Sequence, residues 1–244
     1  MSAIPRLNAI WVYLAASPLL GLTITLFAYV IAQSIYARCR FNPLANPVLI
    51  AVALIVTLLQ ISHTPYPTYF EGAQFVHFLL GPATVALALP LYRQLGNLRR
   101  LAVPITVALV AGSTTAIVSA VAVSSWLGAS KQTVASLAPK SATTPIAMAV
   151  ATSIGGIPSL TAVLVISTGV FGAVFARGIL NVLRVTEPEA RGFALGVASH
   201  GIGTARAFQI SQQMGAFAGL GMGLNGILTS FLVPVLVPVL ARWL

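Results

Sequence analysis

The sequence predicts an all-α membrane protein of about seven or eight helical segments, some of them broken or re-entrant. Three observations carry this reading. First, 58% of the residues are hydrophobic and 7% are charged, whereas a soluble domain carries roughly 25% charged residues. Second, several windows approach the ~20 apolar residues needed to span a bilayer as a helix, and such long unbroken runs argue against the short alternating segments of an outer-membrane barrel. Third, two apolar stretches are interrupted by basic, titratable and hydroxyl residues: Ala138-Pro139-Lys140-Ser141-Ala142-Thr143-Thr144-Pro145-Ile146-Ala147 and Ala198-Ser199-His200-Gly201-Ile202-Gly203-Thr204-Ala205-Arg206-Ala207. The whole chain, residues 1–244, is expected to form one integral membrane domain.

The net charge of +10 is a topology signal. The Arg and Lys residues are scattered mostly between apolar runs, as the positive-inside rule requires, and form no nucleic-acid footprint. Cys39 is the only cysteine, so no internal disulfide forms. No Cys/His/Asp/Glu cluster has metal-ligand spacing, and no cofactor is expected. Only Arg6 precedes the first apolar run, which is longer than a signal-peptide core and has no convincing cleavage site, so it is read as a retained span.

In chain order, Trp11–Gln33 is the first segment, and Arg38 and Arg40 place its end in the cytoplasm. Asn42-Pro43 and Asn46-Pro47 make a turn-rich link, and Val48–Ile61 is only marginally long enough to cross. His63–Glu71 lacks Lys and Arg and reads as an external aromatic loop. Gly72–Tyr92 follows, with a kink or break expected at Gly81-Pro82. Arg93, Arg99 and Arg100 mark a cytoplasmic loop before Leu101–Leu127 runs outward.

Pro158–Ala176 returns to the cytoplasm at Arg177, Arg184 and Arg191, so residues 128–157 must start and end on the same side. A re-entrant hairpin with Lys140 at its tip satisfies this. Residues 189–213 read either as a second hairpin, from the cytoplasmic side, or as one kinked crossing helix. Phe217–Leu240 closes the chain. Its Gly219-Leu220-Gly221-Met222-Gly223 run suits close helix packing. An offset of sixty places Lys140 on His200, Thr144 on Thr204 and Ala147 on Ala207. Repeat units of about 128–180 and 188–241 would then enter from opposite faces, the inverted repeat of many secondary transporters.

Lys140 is the sharpest chemical signal, because a charge near the bilayer centre is costly and is usually functional. Its plainer reading is a shallow loop residue that snorkels to water. Thr144 suits an N-cap and Pro145 a first helical position, which would aim free N–H groups at an anion held by Lys140, Ser141, Thr143 and Thr144. Gly201 and Gly203 permit unwound backbone, with Thr204 capping a helix from Ala205. Arg206 either forks a carboxylate or anchors a helix at the interface. His200 either carries a coupled proton or is structural. His63 reads as interfacial, and His77 as packing or pathway. Glu71, Glu187 and Glu189 flank segments and read as exposed. With no buried carboxylate, an anionic substrate is expected rather than a cation. No nucleophile–base–orienter set is visible, so no enzyme is expected.

Three motifs in order resemble the LrgB/CidB family: Leu80-Gly81-Pro82-Ala83-Thr84-Val85-Ala86-Leu87-Ala88 through Pro90-Leu91-Tyr92, then Pro139–Ala147, then Ser199–Ala207. The resemblance runs from about Pro47 to the C-terminus; Ala142 replaces a frequent Val. It implies a multi-pass protein of the bacterial inner membrane with two functional traditions. Bacterial members are described as holin- or antiholin-like proteins that modulate murein hydrolases and lysis, beside a smaller LrgA/CidA-like partner. Plastid relatives exchange glycolate for glycerate, and some bacterial systems are linked to pyruvate uptake. The residues favour a secondary transporter of small monocarboxylates (glycolate, glycerate or pyruvate class). The alternative is a holin- or antiholin-like protein. Expected partners are a small organic anion, the lipid bilayer, and an LrgA/CidA-like chain or further copies of this one.

Overall fold

The computed structural model describes residues 18–42, 45–79, 82, 85–86, 89, 92–93 and 95–240. All regular structure among them is helical: α1 (Pro18–Arg38), α2 (Pro47–Ile61), α3 (Tyr66–Phe78), α4 (Leu95–Arg100), α5 (Ala102–Trp126), α6 (Lys131–Leu137), α7 (Thr144–Ser153), α8 (Pro158–Val182), α9 (Pro188–Ile210) and α10 (Gln212–Leu240). Residues Leu19–Arg38, α5, α8 and α10 are long and apolar enough to cross a membrane. Val103, Val107 and Val110 on α5 and Phe231, Val235 and Val239 on α10 are exposed. Such an apolar surface suits lipid rather than water. The chain is an all-α, multi-span membrane protein. Helix packing divides it into residues 1–86 and 87–244.

In the first unit, α1 packs on both α2 and α3. Small residues make the α1–α2 contact: Ala28, Ala32 and Ala51 are buried together. The Asn46 side chain caps α2, accepting from the backbone N–H of Val48 at 2.9 Å and of Leu49 at 3.3 Å, with Pro47 in the first turn. At 15 residues, α2 rises roughly 22 Å, short of the ~30 Å hydrocarbon core.

The loop expected at His63–Glu71 is instead helical from Tyr66 onward. Pro67 falls in the first turn, where its missing N–H costs nothing. Tyr66 and Phe70 stack one turn apart, with centroids 5.6 Å apart, and buried Tyr69 shares a 2.7 Å hydroxyl–hydroxyl hydrogen bond with Thr25 of α1. The start of the first segment at Trp11 and Gly81 of the expected Gly81-Pro82 break lie outside the described residues, as do most of the Leu80–Tyr92 motif, Pro43 and the His77 side chain.

In the second unit, α10 is the central element. Its Val233 and Val237 pack with Ile117 and Val121 of α5, Val134 of α6 and Val150 of α7. Its Phe217 packs with Ile105 of α5 and with Phe193 and Val197 of α9. One residue, Ser211, joins α9 to α10, and these two helices pack closely along their length. Gly221 supplies close approach from the glycine run, with the Phe193 carbonyl on its face, while Gly223 meets open space.

Two helices occupy residues 128–157. With 7 and 10 residues, α6 and α7 rise roughly 10 and 15 Å, so neither crosses a bilayer alone. Ser130 caps α6, accepting from the Thr133 N–H at 3.2 Å. The Ser136 hydroxyl donates to the Gln132 carbonyl at 2.7 Å and accepts from the Ile157 N–H at 2.8 Å, which ties α6 to the start of α8.

Candidate functional site

Between α6 and α7 the chain turns through two short bonds, Lys140 N–H to the Leu137 carbonyl at 3.1 Å and Ala142 N–H to the Pro139 carbonyl at 3.0 Å. The α7 N-cap is Thr143, one residue before the expected Thr144, and its side chain makes no capping bond. Thr144 is the first helical residue. Pro145 still lies in the first turn, where no N–H is required.

The second break differs more. The backbone leaves helical geometry at Ser199 (φ −130°, ψ 15°) and His200 (φ 42°, ψ −132°), and the helix resumes through Gly201, Gly203 and Thr204. The expected unwinding at the glycines and the Thr204 cap at Ala205 are therefore corrected. Thr204 lies inside a helical turn and its hydroxyl donates back to the His200 carbonyl at 2.8 Å. A histidine at positive φ is strained. It is held there by its ring: Nε2–H donates to the Val165 carbonyl of α8 at 2.8 Å. That bond fixes the proton on Nε2, because a carbonyl only accepts. Gly169 of α8 makes room, since a Cβ there would lie 2.7 Å from the imidazole Cε1. One turn on, a Cβ at Gly172 would collide with the Ser199 hydroxyl.

Asn225 links the two breaks. It is fully buried in α10. Its Nδ2 donates to the Ser141 carbonyl at 3.0 Å and to the Val197 carbonyl at 3.1 Å. Its Oδ1 accepts from the Ser113 hydroxyl at 2.6 Å and from the Thr229 hydroxyl at 3.3 Å. All four hydrogen-bonding positions of the amide are used. A lone amide in the apolar segment Phe217–Leu240 was the available sequence signal, and the sequence reading passed over it.

A cavity of about 900 Å³ lies against these breaks, walled by α5 and α8 with α9 along its length. Ile105 packs with Phe193 and Gly112 faces Val197, so α5 and α9 run in register along it. Arg100, Glu187 and Glu189 therefore belong to one end and Ala116 and Ser199 to the other, where Gly172 of α8 faces Ser199 and Asn225 joins Ser141, next to Lys140, to Val197. From Leu101 to Ala116 along α5 this is roughly 22 Å of helix rise. The walls are mostly apolar, with Ile105, Ala108, Phe171 and Phe193 among them. Lys140 is half-buried, and its ammonium has no hydrogen-bond or ion-pair partner among the described residues. Ser141 (6% exposed) and Ser199 (0%) carry hydroxyl oxygens that are buried and unbonded. Leaving such a group unpaired costs about 1–3 kcal/mol.

Of the sequence-predicted site residues, the structure brings Lys140 and Ser141 to this cavity. Thr143, Thr144, His200, Gly201, Gly203, Thr204 and Arg206 lie outside its lining. Arg206 is half-buried and donates to Gln209 at 3.1 Å. At the other end, Arg191 donates to Asn181 at 2.9 Å and to the Val185 carbonyl at 3.2 Å, holding the α8–α9 turn. Glu189 accepts from Gln213 at 2.8 Å. Exposed Glu187 accepts from its own backbone N–H and from the hydroxyl and N–H of Thr186, which hold its carboxyl below the usual range. Among the described residues no group of His, Cys, Asp and Glu is placed to hold a metal ion.

A family model described as the LrgB-like family matches residues 25–239, nearly the whole chain. The chain belongs to the LrgB-like family. Its relatives cover it almost end to end. An uncharacterized protein of Bacillus subtilis (strain 168), YwbG, is 37% identical over 218 residues, 89% of this chain and 96% of that protein. Antiholin-like proteins LrgB of Bacillus mycoides (strain KBAB4) and Bacillus cereus (strain B4264) are each 31% identical over 222 residues, 91% of this chain and 96% of theirs. No solved structure matches this LrgB-like chain. Membership in this bacterial family, with four helices fit to cross, makes the chain a multi-pass protein of the bacterial inner membrane.

Proposed function

We propose that this chain is a secondary transporter of small monocarboxylates, of the glycolate, glycerate or pyruvate class. The observation that carries this reading is an ammonium with no partner at the inner end of a cavity, at Lys140. The carboxylates in the lining, Glu187 and Glu189, belong to the opposite end. At that separation the Lys140 charge is free to attract an anion into a low-dielectric pocket. The Arg-bearing end of the cavity is the cytoplasmic end by the positive-inside rule, so this conformation opens inward. His200 serves the site through the backbone it holds.

The two broken stretches support an inverted repeat of units 128–180 and 188–241. Each unit is a helix, a break, a second helix and then a long span, and Asn225 bonds to the Ser141 carbonyl in the first break and to the Val197 carbonyl just ahead of the second. Transporters built this way place the substrate between such interrupted helices.

A second reading is a holin- or antiholin-like protein that modulates murein hydrolases and lysis. The names of the Bacillus mycoides and Bacillus cereus relatives favour it, and by the comparisons alone it is the better supported. It assigns no task to an unpaired Lys140, and it calls for a smaller LrgA/CidA-like membrane partner or self-association.

The deciding experiment is uptake of labelled pyruvate, glycolate and glycerate into proteoliposomes, with an entrapped dye to report leakage. Saturable uptake that Lys140→Ala abolishes, with dye retained and protein folded, supports the carrier. Unchanged uptake in that variant sinks the proposed site, and dye escape in both proteins supports the antiholin-like reading. If neither occurs, co-reconstitution with the smaller partner tests whether activity belongs to the pair.

A further inference from the structure

We infer that Ser141 and Ser199 are the neutral hydrogen-bond donors of the anion site that Lys140 charges, and that this site takes an organic anion bearing a single carboxylate. The inference deepens the carrier reading and takes its ligand class from it.

The other buried hydroxyls of this unit, on Ser113, Ser124, Ser136, Thr161, Thr204 and Thr229, are all paired. Thr168 donates to the Leu164 carbonyl, Ser124 to Ala120 and Ser230 to Gly226, each one turn back along its helix. Ser141 and Ser199 have no bond of either kind. Both sit at breaks, Ser141 between α6 and α7 and Ser199 in the non-helical turn of α9. Both line the cavity beside Lys140. Buried unpaired polar atoms are rare in native structures, and a pair of them in one cavity wall calls for a bound partner. A bound carboxylate, with its two oxygens, has the acceptor capacity for both hydroxyls and for the ammonium.

Charge sets the class. The inner end offers one cation, Lys140, and the other cation in the lining, Arg100, belongs to the far end. A monoanion is neutralised there. A dicarboxylate would keep one charge unpaired among the apolar walls, which is costly. Ala116, Ile105 and Phe171 in those walls suit the carbon skeleton of an organic anion better than a hydrated inorganic one.

The test is equilibrium binding of labelled pyruvate to purified protein, competed by acetate and by succinate, for wild type, Ser141→Ala and Ser199→Ala. Thermal unfolding of each protein without ligand is measured alongside. Each alanine is expected to weaken pyruvate binding about tenfold, the loss of one hydrogen bond to a charged acceptor. Succinate should compete at least tenfold less well than acetate. Ligand-free unfolding should be unchanged or shifted upward, because each variant removes an unpaired buried oxygen. Unchanged binding in both variants, or a loss of ligand-free stability in both, overturns the inference. Absence of pyruvate binding in the wild type also overturns it. Wild type that binds pyruvate yet does not transport it removes the carrier reading and leaves the donor pair standing. Saturable uptake with both variants binding normally does the reverse.

Discussion

Asn225 of α10 donates to the Ser141 carbonyl at 3.0 Å, across 84 positions of sequence. The second hydrogen of the same amide goes to Val197 at 3.1 Å, just ahead of the break at Ser199 and His200. Backbone that departs from helical geometry frees carbonyls, and at membrane depth no bulk water satisfies them. Asn225→Ala should therefore leave two buried carbonyls unpaired and lower stability by roughly 2–4 kcal/mol. Asn225→Asp should be at least as damaging, since it removes both donors and brings a charge into a buried site. Thermal unfolding in detergent checks this. A melt within about one degree of wild type for Asn225→Ala would remove the clamp role.

The seat of Ser199 makes a second prediction. A Cβ at Gly172 would occupy the space of the Ser199 hydroxyl. Gly172→Ala should cost roughly 1–3 kcal/mol by overpacking the α8–α9 contact. Ser199→Gly empties that space, so the double variant should recover most of the loss and give a coupling energy of about 1 kcal/mol or more. Strict additivity of the two changes in unfolding free energy would show that the residues do not share the space.

His200 supports a third. Its Nε2–H is committed to the Val165 carbonyl, and the ring lies outside the cavity lining. His200→Gln retains an amide donor and cannot titrate, whereas His200→Ala retains neither donor nor packing. The alanine variant should lose about 1–3 kcal/mol, and the glutamine variant less. In proteoliposomes with saturable uptake, the glutamine variant should keep the wild-type pH profile. Flattening of that profile would return His200 to the proton-coupling role that its residue type first suggests.

Long spans were legible in the sequence because their signal is local: α5 and α10 begin within a few residues of the expected Leu101 and Phe217. Lys140 was legible because a charge in an apolar run stands out without any partner in view. The second break was read less well. Gly201 and Gly203 have the conformational freedom, yet the unwinding falls on Ser199 and His200. What decides it is a bond to Val165 and two glycines on α8, none of them visible from the motif itself. Asn225 escaped for a related reason. One amide among apolar residues has no meaning until the fold shows which carbonyls it reaches.

Cys39 is exposed and is the only cysteine, so it offers a direct test of topology and of the cavity. It follows Arg38 and precedes Arg40, so the positive-inside rule predicts a cytoplasmic position for it. An impermeant maleimide should label it in inside-out vesicles and not in intact cells. In a Cys39→Ser background, Ala116→Cys puts a thiol at the inner end of the cavity beside Lys140. A small methanethiosulfonate should reach it from the same cytoplasmic side if the cavity is wet. The Lys140 charge should then make the anionic sulfonate reagent react several-fold faster than its cationic ammonium counterpart, and high salt should shrink the ratio. Adding Lys140→Ala should bring the two rates together. Equal rates with Lys140 in place would mean that its charge does not govern the cavity, and labelling from the outer side would reverse the opening assigned to it.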